Sequence, residues 1–318
     1  MRMEKREIGN SGLKVSPLAF GGNVFGWTVD EALSFKLLDA FTAAGFNLID
    51  TADSYSKWVP GNKGGESETI IGKWLKRSGN RKKVIIATKV GSEMGPNDKG
   101  LSKSYILRAI EKSLQRLQTD YIDLYQSHFD DPETPIEETL NAYALLIKQG
   151  KVRVVGASNY SAERLSRALD ISKQLGYPGY QSLQPLYNLY DREDYETKFE
   201  ALCRKKGLGV ITYFSLASGF LTGKYRSEKD LAGSARREFV KKYLDDRGFR
   251  ILKALDQVAK KLNSKPASVS LAWLIAQLSI TAPIASATSL EQLKDLIEAT
   301  RLELDHSSMR LLNRASAY

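Results

Sequence analysis

Short runs of β-branched, aliphatic and aromatic residues alternate with longer stretches whose apolar residues recur at helical spacing, along almost the whole chain. The short runs predict eight strands, at 18–22, 46–50, 84–88, 121–127, 152–157, near 181–184, at 208–213 and near 281–285. The longer stretches predict helices at about 30–44, 66–77, 102–117, 135–149, 161–175, 194–206 and 289–300. Asp30 suits an N-cap and Gly45 a helix stop. Ahead of the first strand, Met3 to Val15 holds two short polar–apolar segments around Asn10-Ser11-Gly12, which predicts a small hairpin. Eight strands, each followed by helical sequence, is the pattern of an α/β fold, a (β/α)8 TIM barrel with an N-terminal β-hairpin and extra helices. Barrels of this length fold as one unit, so residues 1–318 are expected to form a single barrel domain.

Two places break the alternation. Roughly seventy residues separate the seventh strand from the eighth, far more than a βα unit requires. They include Ser215 to Lys224 with two glycines, a charged stretch through Arg236-Arg237, and an extra helix near 249–263. The other is the loop from Ser54 to Gly65, which carries Trp58, Pro60 and three glycines. Long loops on the rim of a barrel cover sites.

In a parallel barrel the C-terminal strand ends meet on one rim, where active sites are built. Three of the runs deliver polar residues there: Asn47-Leu48-Ile49-Asp50 with Tyr55 just beyond, Val84 to Lys89, and Tyr121 to His128. Carbonyl reduction needs this set. Negative charge gathering on the carbonyl oxygen calls for a proton donor beside it. A free Tyr, with a pKa near ~10, holds its proton too tightly to be ideal. A neighbouring Lys cation stabilises the phenolate, an Asp fixes the Lys, and a neutral His donates to the same oxygen. Asp50, Tyr55, Lys89 and His128 fit these roles one for one. Taken singly each has a plainer reading: a turn cap, a loop aromatic, a strand-end charge and a metal ligand. A metal needs three or four ligands, and the one other histidine, His306, lies in a polar segment near the end of the chain, so no metal is expected.

Composition removes other classes. No apolar stretch reaches membrane-spanning length, and Met1 to Glu7 lacks the apolar segment of a signal peptide. The single cysteine, Cys203, excludes an internal disulfide, fits a reducing cytoplasm and reads as a small core residue. A net charge of +10 raises the question of an anionic partner. The basic residues fall in scattered groups such as Arg81-Lys82-Lys83 and Lys260-Lys261, with no nucleic-acid module, so an anionic cofactor is expected rather than nucleic acid.

Asn47 to Tyr55, Ser67-Glu68-Thr69-Ile70-Ile71-Gly72, Ala87-Thr88-Lys89, Asp120 to Tyr125 leading to His128, and Gly150 to Arg153 leading to Gly156-Ala157-Ser158-Asn159-Tyr160 together carry a resemblance. In their order and spacing the chain resembles the aldo-keto reductases over nearly its whole length, in the bacterial branch related to potassium-channel β subunits. The resemblance implies a barrel that holds a nicotinamide cofactor without a Rossmann fold, with the four residues above as the catalytic set. By the same resemblance Ser158, Asn159 and Gln184 bind the nicotinamide amide and Tyr213 stacks on its ring. Gly22 and Asp50 lie beside the cofactor. The backbone through Ser215, Leu216, Gly219, Leu221 and Gly223 wraps the pyrophosphate, with Lys224 adding charge. Ser286, Thr288, Gln292 and Arg236 serve the adenosine end, although a Gly common at Ser286 and an Arg common at Thr288 are missing, and Asp295 and Leu296 replace the usual Glu and Asn. A bidentate Arg favours NADP(H) over NAD(H). Phe25, Trp27, Trp58 and Phe129 follow strands and are expected to line an aromatic mouth accepting small aldehydes or ketones. Two other readings stay open: a cofactor-binding, redox-sensing regulatory subunit, and a basic RNA-binding barrel. Oligomeric state is not legible.

Overall fold

The computed structural model of the chain describes residues 4–318, so Met3, where the expected hairpin begins, lies outside the described residues. The hairpin pairs β1 (Arg6–Glu7) with β2 (Lys14–Val15), Arg6 opposite Val15. The barrel strands are β3 (Ala19–Gly21), β4 (Leu48–Asp50), β5 (Ile85–Val90), β6 (Ile122–Ser127), β7 (Val152–Ser158), β8 (Ser182–Gln184), β9 (Gly209–Thr212) and β10 (Ala282–Ala285). All pair in parallel, and β10 bonds to β3, which closes the ring. The fold is a (β/α)8 barrel. Each expected strand is present within two residues of its expected bounds, and β5 runs through Lys89 instead of stopping before it.

Side chains on a strand alternate between faces, and here the alternation builds the site. Ala19, Leu48, Ile85, Ala87, Leu124, Val154, Ile211, Ala282 and Ile284 fill the interior of the barrel, with Ile8 and Val15 of the hairpin packed into the same cluster. Counting on by twos from these residues gives Gly21, Asp50, Lys89, Gln126 and then His128, Ser158, Tyr213 and Ser286, and the buried Ser182 of β8 leads in the same way to Gln184. The same period that buries an apolar interior therefore aims polar residues from seven of the eight strands toward the upper mouth, two of them from β6.

The outward strand residues, among them Phe20, Ile49, Ile86, Tyr125 and Val155, pack under the helices against Phe41, Trp74, Ile106 and Tyr143. The helices are α1 (Glu31–Ala43), α2 (Glu66–Ser78), α3 (Lys103–Leu117), α4 (Ile136–Lys148), α5 (Ala162–Leu175), α6 (Glu200–Lys206), α7 (Arg237–Val240), α8 (Asp246–Lys261), α9 (Pro266–Ile275), α10 (Leu290–Ala299) and α11 (His306–Ala315). Asp30 caps α1 as expected, accepting from the Leu33 amide at 2.8 Å. The helix expected at 194–206 is divided, a π-helical turn over Tyr195–Phe199 leading into α6. Helix α8 is the expected extra helix, begun earlier by the Asp245 cap on the Gly248 amide. Helices α7, α9 and α11 were not foreseen.

Candidate active site

Asp50 ends β4, and the ladder carries one step further, the Thr51 amide donating to the Ala87 carbonyl at 2.8 Å. Lys89 faces it across the strand pair. Its Nζ donates to Asp50 Oδ2 at 2.7 Å, to the Thr51 carbonyl at 2.8 Å and to the Tyr55 hydroxyl at 2.9 Å. Lysine has three protons to donate, and all three are placed. Both charged groups are buried, the lysine 1% and the aspartate 2% exposed, so the pair stands on these bonds and not on solvent. The other Asp50 oxygen accepts from Gln184 Nε2 at 2.9 Å, with Gln126 Nε2 at 3.5 Å. The turn after β4 delivers Tyr55, and Asn62 pins that loop through Nδ2 bonds to the Gly26 and Ser56 carbonyls, both 3.0 Å.

Burial and the Asp50 charge hold the Tyr55 phenol well above its ordinary value. This is the opposite of the lowering expected from the lysine, because dehydration and the carboxylate dominate. The phenol is therefore held in its acid form, the form that can donate. Burial lowers the Lys89 ammonium from its usual range, with Asp50 pulling the other way. His128 continues the β6 ladder, its amide donating to the Val90 carbonyl at 2.8 Å. Burial and the Lys89 charge push its imidazole well below the ordinary value, so it is neutral at neutral pH. Nδ1 lies 2.9 Å from Ser92 Oγ; with the hydroxyl donating, the ring proton sits on Nε2 and can be offered to a carbonyl.

A cleft of about 1190 Å³ opens above this cluster. Asp50, Tyr55 and His128 are on its wall, together with Trp27, Trp58 and Phe129. Trp27 and Trp58 meet edge to face at 5.6 Å, Trp58 lies 6.1 Å from the Tyr55 ring, and Phe129 stacks on His128 at 4.9 Å. Phe25 departs from expectation. It is fully buried and stacked on Phe20 at 5.3 Å, because the 3-10 turn over Gly22–Val24 rotates it into the core while Trp27 faces the cleft. Phe214 and Phe239, which sequence reasoning missed, complete the exposed aromatic rim.

The residues expected around a nicotinamide are already joined to one another. Asn159 Nδ2 donates to the His128 carbonyl at 2.8 Å, the Tyr213 hydroxyl donates to Asn159 Oδ1 at 2.9 Å, and Ser158 Oγ donates to the Gln184 carbonyl at 2.9 Å. Beyond them Phe214, Ala217, Ser218 and Gly219 all take positive φ, with the Ala217 amide donating to the Phe214 carbonyl at 2.7 Å and the Gly219 amide to the Leu216 carbonyl at 2.8 Å. Ser215, Leu216, Gly219 and Lys224 line the cleft, as do Ser218 and Thr222 of the same stretch. Leu221 and Gly223 do not line it. Leu221 is buried, its amide tied back to the Leu216 carbonyl at 3.2 Å, and the Gly223 amide bonds Phe220. Gly22 is likewise off the wall, packed where a Cβ would lie 2.9 Å from Ser67 Oγ.

At the far end Ser286 turns to β3, its Oγ 2.7 Å from the Gly21 carbonyl, and Thr288 donates through both its amide (2.9 Å) and its hydroxyl (3.1 Å) to Gln292 Oε1. Lys265, also missed, binds Asp295 at 2.9 Å and so neutralises the carboxylate that departs from the usual pattern. The one signal for it was the following Pro266, a helix-start residue. Arg236 lies 5.5 Å over the Trp27 ring; burial lowers its affinity for a proton, and no carboxylate offsets this. A desolvated guanidinium with no acidic partner suits an anion. No group of three or more metal-ligating side chains occurs among the described residues, nor any helix long and apolar enough to cross a membrane.

The upper mouth of the barrel thus brings Asp50, Tyr55, Lys89 and His128 together beneath a long polar and aromatic cleft. The Aldo/keto reductase family model matches residues 17–317, and the chain belongs to that family, whose members use nicotinamide cofactors in general. It is 37% identical over 319 residues to an oxidoreductase of Bacillus subtilis (strain 168) titled uncharacterized, YrpG, covering 98% of this chain and 95% of that one. The aldo-keto reductase YhdN of the same organism is 32% identical over 322 residues, with 98% and 93% covered. A probable voltage-gated potassium channel subunit beta of Oryza sativa subsp. japonica is 33% identical over 305 residues, with 93% and 91% covered.

Proposed function

We propose that this protein reduces an aldehyde or ketone to the alcohol with NADPH, using Tyr55 as general acid. The observation that carries the reading is the Lys89 ammonium, bonded at once to the Tyr55 hydroxyl and to Asp50 beneath a cleft shared with a neutral His128. The residues present fit a nicotinamide dinucleotide. Ser158, Asn159 and Gln184 offer amide and hydroxyl partners, Tyr213 a stacking face, and Ser215 to Gly219 with the Lys224 charge a place for the pyrophosphate. Ser286, Thr288, Gln292 and Arg236 stand at the adenosine end, and the unpaired guanidinium favours the phosphorylated cofactor. Reduced nicotinamide, when bound, supplies hydride.

His128 orients the carbonyl through Nε2, and Tyr55 gives its proton to the oxygen as negative charge develops there. Lys89 stabilises the phenolate that is left, and Asp50 keeps Lys89 charged and in place. Trp27, Trp58 and Phe129 hold the body of the substrate. The lone Cys203 is buried and its thiol is pushed up to about 12, which suits an inert core residue in a reducing cytoplasm. The whole chain acts as one catalytic domain.

The test is NADPH consumption followed by absorbance with short aldehydes, aromatic aldehydes and keto-sugars, against Tyr55→Phe. Turnover that falls by at least ~100-fold in the variant, with NADPH still bound, is the expected result. Cofactor binding with no turnover on any carbonyl would replace this reading with the second, a redox-sensing regulatory subunit, for which the likeness to the plant channel subunit is the supporting observation.

A further inference from the structure

Asp53 lies between Asp50 and Tyr55, and its amide donates to the Lys89 carbonyl at 3.3 Å, so its backbone runs beside that of the lysine. Its carboxyl is buried, 2% exposed, and neither oxygen has a hydrogen-bond partner. The groups facing it are Glu68 from α2, Arg116 and Tyr105 from α3, Lys89 from β5, Tyr125 from β6 and Tyr143 from α4. The two cations among them donate elsewhere. Arg116 Nε serves Glu68 at 2.7 Å, the Thr88 hydroxyl serves the same carboxylate at 2.6 Å, and the three Lys89 protons go to Asp50, Thr51 and Tyr55. The Tyr125 hydroxyl is itself buried without a partner. A carboxylate so placed loses its hydration and gains no well-formed hydrogen bond in return, so the proton stays on. Burial first, and the Glu68 charge second, hold the acid well above its ordinary value against the weaker pull of Arg116, the Ser54 amide and Lys89.

We propose that Asp53 is a positioning residue acting through Lys89: a neutral acid at neutral pH, leaving Asp50 as the one carboxylate hydrogen-bonded to the lysine, and an added counter-charge for it in alkaline solution. When the Asp53 O–H bond breaks, its proton leaves to solvent and the carboxylate left behind strengthens the hold of Lys89 and Tyr55 on their own protons. The proposal rests on the reductase reading for its functional half. Its physical half stands alone, because a group kept neutral by the fold destabilises the fold as pH rises.

The sign follows from the raised folded value. The stability it contributes is fully present below the unfolded aspartate pKa of ~3.9 and is lost as pH rises toward the folded value. Asp53→Asn has no proton to lose. The unfolding constant of the wild-type protein, divided by that of the variant, is expected to grow about tenfold per pH unit above ~4. A ratio independent of pH, or one that falls, overturns the protonated assignment. If Asp53→Asn does not fold, infrared spectra of protein labelled with 13C-aspartate serve instead: a protonated carboxyl band at neutral pH supports the assignment, and its absence overturns it. In the pH profile of kcat/KM the variant is expected to match wild type within about twofold near neutrality and to lose activity on the alkaline side at lower pH, with Asp53→Glu restoring the limb. Coincident alkaline limbs overturn the coupling to Lys89. Wild-type protein that turns over no carbonyl instead removes the reductase reading, and leaves the stability and infrared results to judge Asp53.

Discussion

Lys89 is the residue on which the buried charges balance, because Asp50 has no other cation bonded to it. Lys89→Met leaves that carboxylate alone in the interior. The expected cost is about 3–5 kcal/mol of stability by urea unfolding, together with loss of turnover. His128 carries a pH dependence of its own. Its folded value is depressed, so its contribution to stability is complete above the unfolded value of ~6.5 and is lost as pH falls from there toward the folded value. The difference in urea midpoint between wild type and His128→Gln should shrink or reverse as pH is lowered from 7 to 5, and a constant difference would count against a buried neutral ring. At this scale the sequence was readable wherever a strand ended on a polar residue, as at Asp50, Ser158 and Gln184. It was misleading where two similar residues follow one strand. Phe25 and Trp27 look equivalent in the chain, and only the turn between β3 and α1 decides which ring is core and which is wall. Gln126 was overlooked, although a step of two from the interior residue Leu124 points to it.

One-sidedness accounts for some of what was legible in the helices but not all of it, since α11 carries a clear apolar stripe and was missed. Helix α3 shows a clean apolar stripe and was placed to within one residue, whereas α9 buries every residue from Ser268 to Leu274 and has no stripe to read. The π turn before α6 has no compositional mark at all. Close helix contacts were equally hidden. Gly72 in α2 lies against the last turn of α3, where an added Cβ would collide with the Arg116 carbonyl oxygen and the backbone of Leu117. Both partners are main chain and cannot swing aside. Gly72→Ala should therefore cost about 1–3 kcal/mol or more in chemical denaturation, despite the better helix propensity of alanine. Because Arg116 also holds Glu68 beside Thr88, the same substitution is expected to disturb the surroundings of β5.

For the molecule as a whole, strands alternating with helices were enough to specify a parallel closed sheet, since right-handed crossovers leave few other arrangements. What they left open is the long passage from β9 to β10, whose course over the cleft is set by tertiary contacts such as Tyr243 with Asp191 at 2.7 Å. A ligand bound across that passage must stabilise the entire fold. NADPH at one hundred times its dissociation constant should add about 2.7 kcal/mol, seen as a rise in Tm. The same concentration of NADH should add less, and Arg236→Ala should narrow the gap between the two; equal shifts in the wild-type protein would argue against selection by the adenosine phosphate. The hairpin at the opposite mouth has a consequence for synthesis. Arg6 donates to the carbonyls of Ile275 and Ile280, both at 2.9 Å, and Ile8 and Val15 pack against Ile211 and Ala282. The hairpin thus waits for β9 and β10, which follow it by about two hundred residues or more, before it has a place to dock. A nascent chain carries Ile8 and Val15 uncovered until β9 and β10 have emerged, and any product cut short before β10 exposes both the hairpin and the open barrel floor it was made to seal.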